Sequence, residues 1–157
     1  MKNGRKRWEK GQSLVEMAIG IPVLLILLGG LFDIGRGFLI LTAVENATGE
    51  GALYGATHPA CLTSDHAATI CQGTQSVAGR VREEGRPMLN MSDGNSTVTF
   101  EIEHGAAVTA GSTLRVDVEY RYKPLTPVGF LVWGSEARVK ASARQQVMSP
   151  PHPGYRY

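Results

Sequence analysis

The chain has 157 residues, of which 43% are hydrophobic and 19% charged, enough for one modest domain and a membrane segment. Its net charge of +2 is unevenly placed, because residues 1–11 hold five bases and one acid and the remainder holds 11 bases and 13 acids. A main body that is slightly acidic excludes a nucleic-acid binder, which would need a basic surface.

The basic cluster stands in front of a long apolar run. From residue 14 to residue 41 the only charged side chains are Glu16, Asp33 and Arg36. A spanning helix needs roughly 20 apolar residues, and bases flank the cytoplasmic end of such helices. We therefore expect one pass through the inner (cytoplasmic) membrane over about residues 14–41, with the N-terminus cytoplasmic. A solvated basic tail is the alternative for the cluster.

A cleavable secretory signal is the competing interpretation of the apolar run. Such signals have an apolar core of about 7–15 residues followed by a small-x-small cleavage site. The run in this chain is longer, it is followed by Asp33 and Arg36, and no Ala-x-Ala site comes just after it. These features favour a retained membrane helix.

The helical pattern continues beyond the apolar run. Val44, Ala47, Gly51 and Tyr54 form a narrow stripe at three- and four-residue spacing, and Pro59 should end the helix. One helix over residues 12–57 would be about 65–70 Å long at 1.5 Å per residue. The glycines in its first half indicate either close approach by another helix or simple tolerance of glycine in membranes.

Asp33 and Arg36 are three residues apart. This spacing places both side chains on the same helix face, where they can pair. We predict that this pair lets the helix pass through the membrane interface.

Cys61 and Cys71 are the only two cysteines, and they fall on the side expected to lie outside the cytoplasm. An oxidising compartment favours a disulfide between them. Two alternatives stay open, a metal site with His58 and His66, although the spacing matches no standard zinc signature, or two reduced thiols.

The rest of the chain changes from helical to alternating periodicity. Residues 74–89 predict a short amphipathic helix, and residues 124–135 an apolar connection with two prolines. Alternation then predicts three strands, with one face of an antiparallel sheet covered by the long helix. Their expected bounds are 97–103, 112–123 and about 136–147.

These elements together predict an α+β fold: a long N-terminal transmembrane helix that extends outside the membrane, a short helix and a small sheet of about three strands. The expected units are a leader over residues 1–11, the helix over 12–57, an extracytoplasmic domain over 58–148 and a flexible tail over 149–157.

No arrangement of residues indicates catalysis. The chain has no Gly-x-Ser-x-Gly nucleophile setting, no phosphate-binding loop and no dinucleotide fingerprint. We therefore expect no enzyme activity, no cofactor and no metal, and a membrane-tethered enzyme remains the least favoured class.

Glu16 is a costly residue at the edge of an apolar helix, and it needs a partner. A cut between Gly11 and Gln12 would remove the basic leader and create an α-amine one helical turn from Glu16. The pair could form within one chain, or between Glu16 and the Gln12 amine of a neighbour, which would set the axial register of packed helices. The alternative is an uncleaved chain whose Glu16 reaches the cytoplasmic interface.

This N-terminal region resembles that of type IV prepilins in its leader, the Gly before the cut, the Glu at the fifth mature position and the apolar helix. More closely, it is similar to the TadE family of pilin-like proteins of tight-adherence (Flp) pilus systems. That resemblance covers about residues 10–57 and depends on "GQSLVE", Pro22, "FDIGRGF" and "TAVENATGEGALYGAT". The segments "VEYRYKPLTP" and "ARVKASARQQV" resemble the family's C-terminal part more weakly, and Arg144-Gln145-Gln146 departs from its Arg-x-Glu-like ending.

The resemblance implies that a prepilin peptidase cuts after Gly11, and that Glu16 sets the register between subunits. The mature chain would be a minor pilin or pseudopilin that supports pilus assembly. Its partners would be other pilin-like subunits, the assembly platform and the lipid bilayer. The alternative is an uncleaved single-pass anchor with an extracytoplasmic binding or structural module.

Overall fold

The computed structural model describes residues 5–62, 71–92, 94–103 and 108–148, with side chains from residue 11 onward. The expected tail over 149–157 and His66 lie outside the described residues. Besides two short 3-10 turns at Pro59–Leu62 and Gly73–Gln75, the elements are α1 (Arg5–Thr57), α2 (Val77–Gly85), β1 (Ser96–Ile102), β2 (Thr113–Tyr122), α3 (Pro127–Trp133) and β3 (Ala137–Gln146).

Helix α1 has 53 residues, so it is about 80 Å long at 1.5 Å per residue. It begins at Arg5 rather than at the expected Gln12, because residues 5–10 are mostly good helix formers and contain neither glycine nor proline. It contains Pro22 and ends at Thr57, as Pro59 predicted. Within the described residues it is the one helix long and apolar enough to cross a membrane.

The three strands form one antiparallel sheet in the order β1-β2-β3, which confirms the expected α+β class. Leu114, Val116 and Val118 on the inner face of β2 are fully buried. Charged residues alternate with them on the outer face, where Lys140 Nζ lies 3.1 Å from Glu119. The hydrogen bond from Lys140 lowers the pKa of Glu119, as expected for a solvent-facing surface of paired charges.

The core lies between the inner face of the sheet, α2 and the second half of α1. Val44, Ala47 and Gly51 from the expected stripe are buried, and Tyr54 is half-buried with its hydroxyl donating to the Gln75 carbonyl at 2.7 Å. Small side chains on α1 allow the sheet and α2 to approach its backbone closely. The long helix is therefore both the candidate membrane segment and part of the domain's core.

Among the glycines of α1, Gly51 leaves the least room for an added Cβ atom. A Cβ at Gly51 would overlap Val81 Cγ2, whereas one at Gly49 has no neighbour within 4 Å. We expect Gly51→Ala to destabilise the domain by about 1–2 kcal/mol, since overpacking costs more than the gain in helix propensity. The matched control Gly49→Ala should stabilise it by up to about 1 kcal/mol. Urea unfolding of the detergent-solubilised chain measures both, and equal midpoints for the two variants would contradict the packing.

Helix α3 lies where the sequence predicted only a connection. Thr126 caps it, its hydroxyl accepting from the Gly129 N–H at 3.2 Å, and Pro127 occupies the first turn. Gly134 follows the helix with φ +75°, a conformation that favours glycine. The sequence "TPVGFLVWG" contains these start and stop signals. The two prolines, Pro124 and Pro127, favoured the interpretation as a connection instead.

Candidate functional site

The predicted processing site lies on the exposed N-terminal part of α1. Gly11, Gln12 and Glu16 are all exposed. The Gln12 side-chain amide donates to Glu16 Oε1 at 3.3 Å, which places the two residues on one face, one turn apart. Glu16 thus has a neutral side-chain partner in Gln12, the residue whose backbone nitrogen would become an ammonium group on cleavage.

A second cluster forms around Asp33, which is only 3% exposed. Its carboxylate accepts three hydrogen bonds from the segment that leads into α3. Leu125 N–H and Thr126 N–H donate at 3.1 Å each, and the Thr126 hydroxyl donates at 2.5 Å. The same hydroxyl accepts from Gly129 N–H, so Asp33 holds the residue that caps α3. Three donors compensate the burial of this carboxylate.

Asp33 and Arg36 share a helix face, as their spacing predicted, but their hydrogen bonds differ from the expected pairing. Arg36 donates from Nη1 to the Lys123 carbonyl at 3.1 Å, and Asp33 binds Leu125 and Thr126. Both residues therefore fasten the domain to α1. Their partners lie some 90 residues further along the chain. The spacing of residues within α1 therefore could not predict the contacts.

Three glycines of α1 make room for this attachment. Added Cβ atoms at Gly29 and Gly30 would lie 3.3 Å from the side chains of Thr126 and Val128, and one at Gly37 would lie 3.1 Å from the Tyr122 hydroxyl. Such distances are tighter than ordinary contact. At these positions the glycines serve close approach by another segment of the same chain.

Cys61 and Cys71 are joined by a disulfide with a Cα–Cα distance of 5.4 Å, within the usual range. The bond ties the end of the turn after α1 to the segment before α2. In the part of the chain that the structure describes, no group of three metal-ligating side chains comes together.

Removing this bond should weaken the domain. For a loop of this length, the chain-entropy estimate of the stabilisation is roughly 3 kcal/mol. We expect Cys61→Ser/Cys71→Ser to lower the urea midpoint by a corresponding amount, and wild-type protein with reductant to behave in the same way. Alkylation of both thiols in unfolded, unreduced protein would show that the bond is absent.

These features define a protein with one long N-terminal apolar helix, which suggests a membrane anchor, and a small α+β domain packed on the second half of that helix. The family model described as TadE-like protein matches residues 11–53 and confirms the resemblance over this helix. No curated protein and no solved structure matches the chain. The TadE match suggests involvement with Tad/Flp pilus systems. That family is structural rather than enzymatic, and it is associated with the pilus machinery in general.

Proposed function

We propose that the chain is a minor pilin or pseudopilin that supports assembly of a tight-adherence (Flp-type) pilus. Prepilin peptidase cuts it after Gly11, and the mature helix packs among other pilin-like subunits at the assembly platform. The observation that carries this proposal is the TadE match over residues 11–53, which starts at the residue before the proposed cut.

The arrangement around Glu16 supports this role. After cleavage, the new amine of Gln12 would stand one turn from Glu16, on the face where the Gln12 side chain already reaches the carboxylate. The apolar side chains from residue 14 to 28 are exposed, so this stretch of α1 is available to lipid or to neighbouring helices. A carboxylate on an apolar surface, paired with an ammonium of the next subunit, would fix their axial register.

The proposed topology has the N-terminus in the cytoplasm and the domain outside it. The bases in residues 1–11 favour this orientation by the positive-inside rule. A disulfide between Cys61 and Cys71 is consistent with an oxidising, periplasmic or extracellular location.

Deletion of the chain from cells that carry a tight-adherence system tests the assembly role. The amount of major pilin in the sheared surface fraction should fall strongly, and a copy of the wild-type chain should restore it. Unchanged surface pilin after deletion would overturn the proposed role.

One observation favours a second candidate, the uncleaved anchor with an extracytoplasmic module. Helix α1 has no break at Gly11 and Gln12, whereas proteolysis favours exposed, weakly structured segments. In this case deletion leaves assembly intact and the domain has a ligand of its own.

A further inference from the structure

Helix α3 presents large apolar side chains that the domain does not cover. Leu131 is 87% exposed and Val132 63%, and Phe130 and Trp133 are 47% and 40% exposed. Leu125, just before the helix, is exposed as well. A concentration of apolar surface on one short element marks an interaction site rather than a chance exposure.

The position of α3 along α1 indicates what covers this surface. Thr126 and Val128 pack against Gly29 and Gly30, about 5 Å closer to the cytoplasmic end than Asp33 at 1.5 Å per residue. Residues 14–32 of α1 span about 28 Å, close to the hydrocarbon thickness of a bilayer. If this run fills the bilayer, α3 begins level with the outermost turn of the membrane-spanning part.

Helix α1 also exposes apolar side chains at the level where α3 begins. Leu28, Leu31 and Phe32 of α1 are exposed near the turn that receives α3. One turn further on, Arg36 donates to the Lys123 carbonyl, which places a charged side chain just beyond this level. Tryptophan is enriched at both membrane–water interfaces, so Trp133 beside exposed apolar side chains at this level is typical of an interfacial segment.

We propose that α3 is an interfacial helix whose residues 130–133 enter the outer leaflet of the bilayer where α1 leaves the hydrocarbon. The ligand of this surface is the lipid bilayer. The inference depends on the proposed spanning by α1. The three hydrogen bonds to Asp33 hold α3 at this depth, so the domain has a fixed height and tilt at the membrane.

Tryptophan fluorescence of the full chain in phosphatidylcholine vesicles tests the proposal. The chain has two tryptophans, so Trp8→Phe leaves Trp133 as the only one. We expect its emission to be strongly quenched by lipids brominated near the headgroup end of the acyl chains, weakly by lipids brominated near the chain ends, and little by iodide in the water.

The controls are two variants in which both native tryptophans are replaced and a single new tryptophan is introduced elsewhere. Phe100→Trp reports from β1, at an exposure of 39% close to that of Trp133, and iodide should quench it. Leu25→Trp lies within the proposed span, and deep bromines should quench it.

Iodide quenching of Trp133 together with bromine quenching of Leu25→Trp would overturn the interfacial helix and leave the membrane span intact. Absence of bromine quenching at both positions would overturn the proposed span as well. A Trp133 shielded from iodide and from bromolipid would mean that protein covers α3, which also contradicts the proposal.

Discussion

We expect Glu16→Ala to prevent most of the chain from packing among the pilin-like subunits and to reduce pilus assembly strongly. The outer domain should stay folded. Removing one partner of a buried ion pair costs about 3–5 kcal/mol, which corresponds to on the order of 100-fold or more in an association constant. The described attachment of the domain to α1 begins at Gly29, more than three turns beyond Glu16, so the domain should keep its fold. The readout is the amount of this chain and of major pilin in the sheared surface fraction.

Two further variants separate charge from shape. Glu16→Gln keeps the size and polarity of the side chain but cannot form an ion pair with an ammonium, so it should fail nearly as badly as alanine. Glu45→Gln neutralises an exposed carboxylate further along the same helix and should assemble normally. Normal assembly of a processed Glu16→Ala chain would contradict a registering role for Glu16.

Asp33→Ala is expected to release α3 from α1 without unfolding the sheet. The substitution removes the acceptor for Leu125 N–H, Thr126 N–H and the Thr126 hydroxyl in a nearly inaccessible position. Hydrogen bonds to a charged group are the strong ones, and unpaired donors are costly. Amide hydrogen exchange over residues 124–133 should therefore speed up on the order of 10- to 100-fold in the detergent-solubilised chain.

The other elements provide internal references for this experiment. Exchange in β2 and β3 should stay slow, because their register and core contacts do not involve Asp33. Asp33→Asn keeps one oxygen acceptor and should give an intermediate rate, and Glu45→Ala should change nothing. Unchanged protection of α3 in Asp33→Ala would show that packing on the glycines, and not the carboxylate, holds it.

Periodicity alone predicted most of the domain. The alternation of Leu114, Val116 and Val118 with charged residues gave the central strand to within one residue at each end, and Pro59 gave the end of α1. These signals are strong because one face of each element is buried and the other is solvated, so the residue pattern follows the geometry directly.

The site around Asp33 could not be predicted in this way. Spacing placed Asp33 and Arg36 on one face and suggested that they bind each other. Their partners at Lys123, Leu125 and Thr126 come from a segment that only the tertiary fold brings back to α1. Likewise, the glycines of α1 were consistent with close approach by another helix or with simple tolerance of glycine in membranes, and neither alternative identified Thr126 and Val128 as the neighbours of Gly29 and Gly30.

Cleavage after Gly11 can be measured as the intact mass of the membrane-extracted chain, from cells with and without a prepilin peptidase. We expect the loss of residues 1–11 only when the peptidase is present, so that the mature chain starts at Gln12 with its amine one turn from Glu16. A full-length mass in both strains would show that the chain is not cleaved. Glu16 would then have no amine partner, and the chain would be an uncleaved anchor.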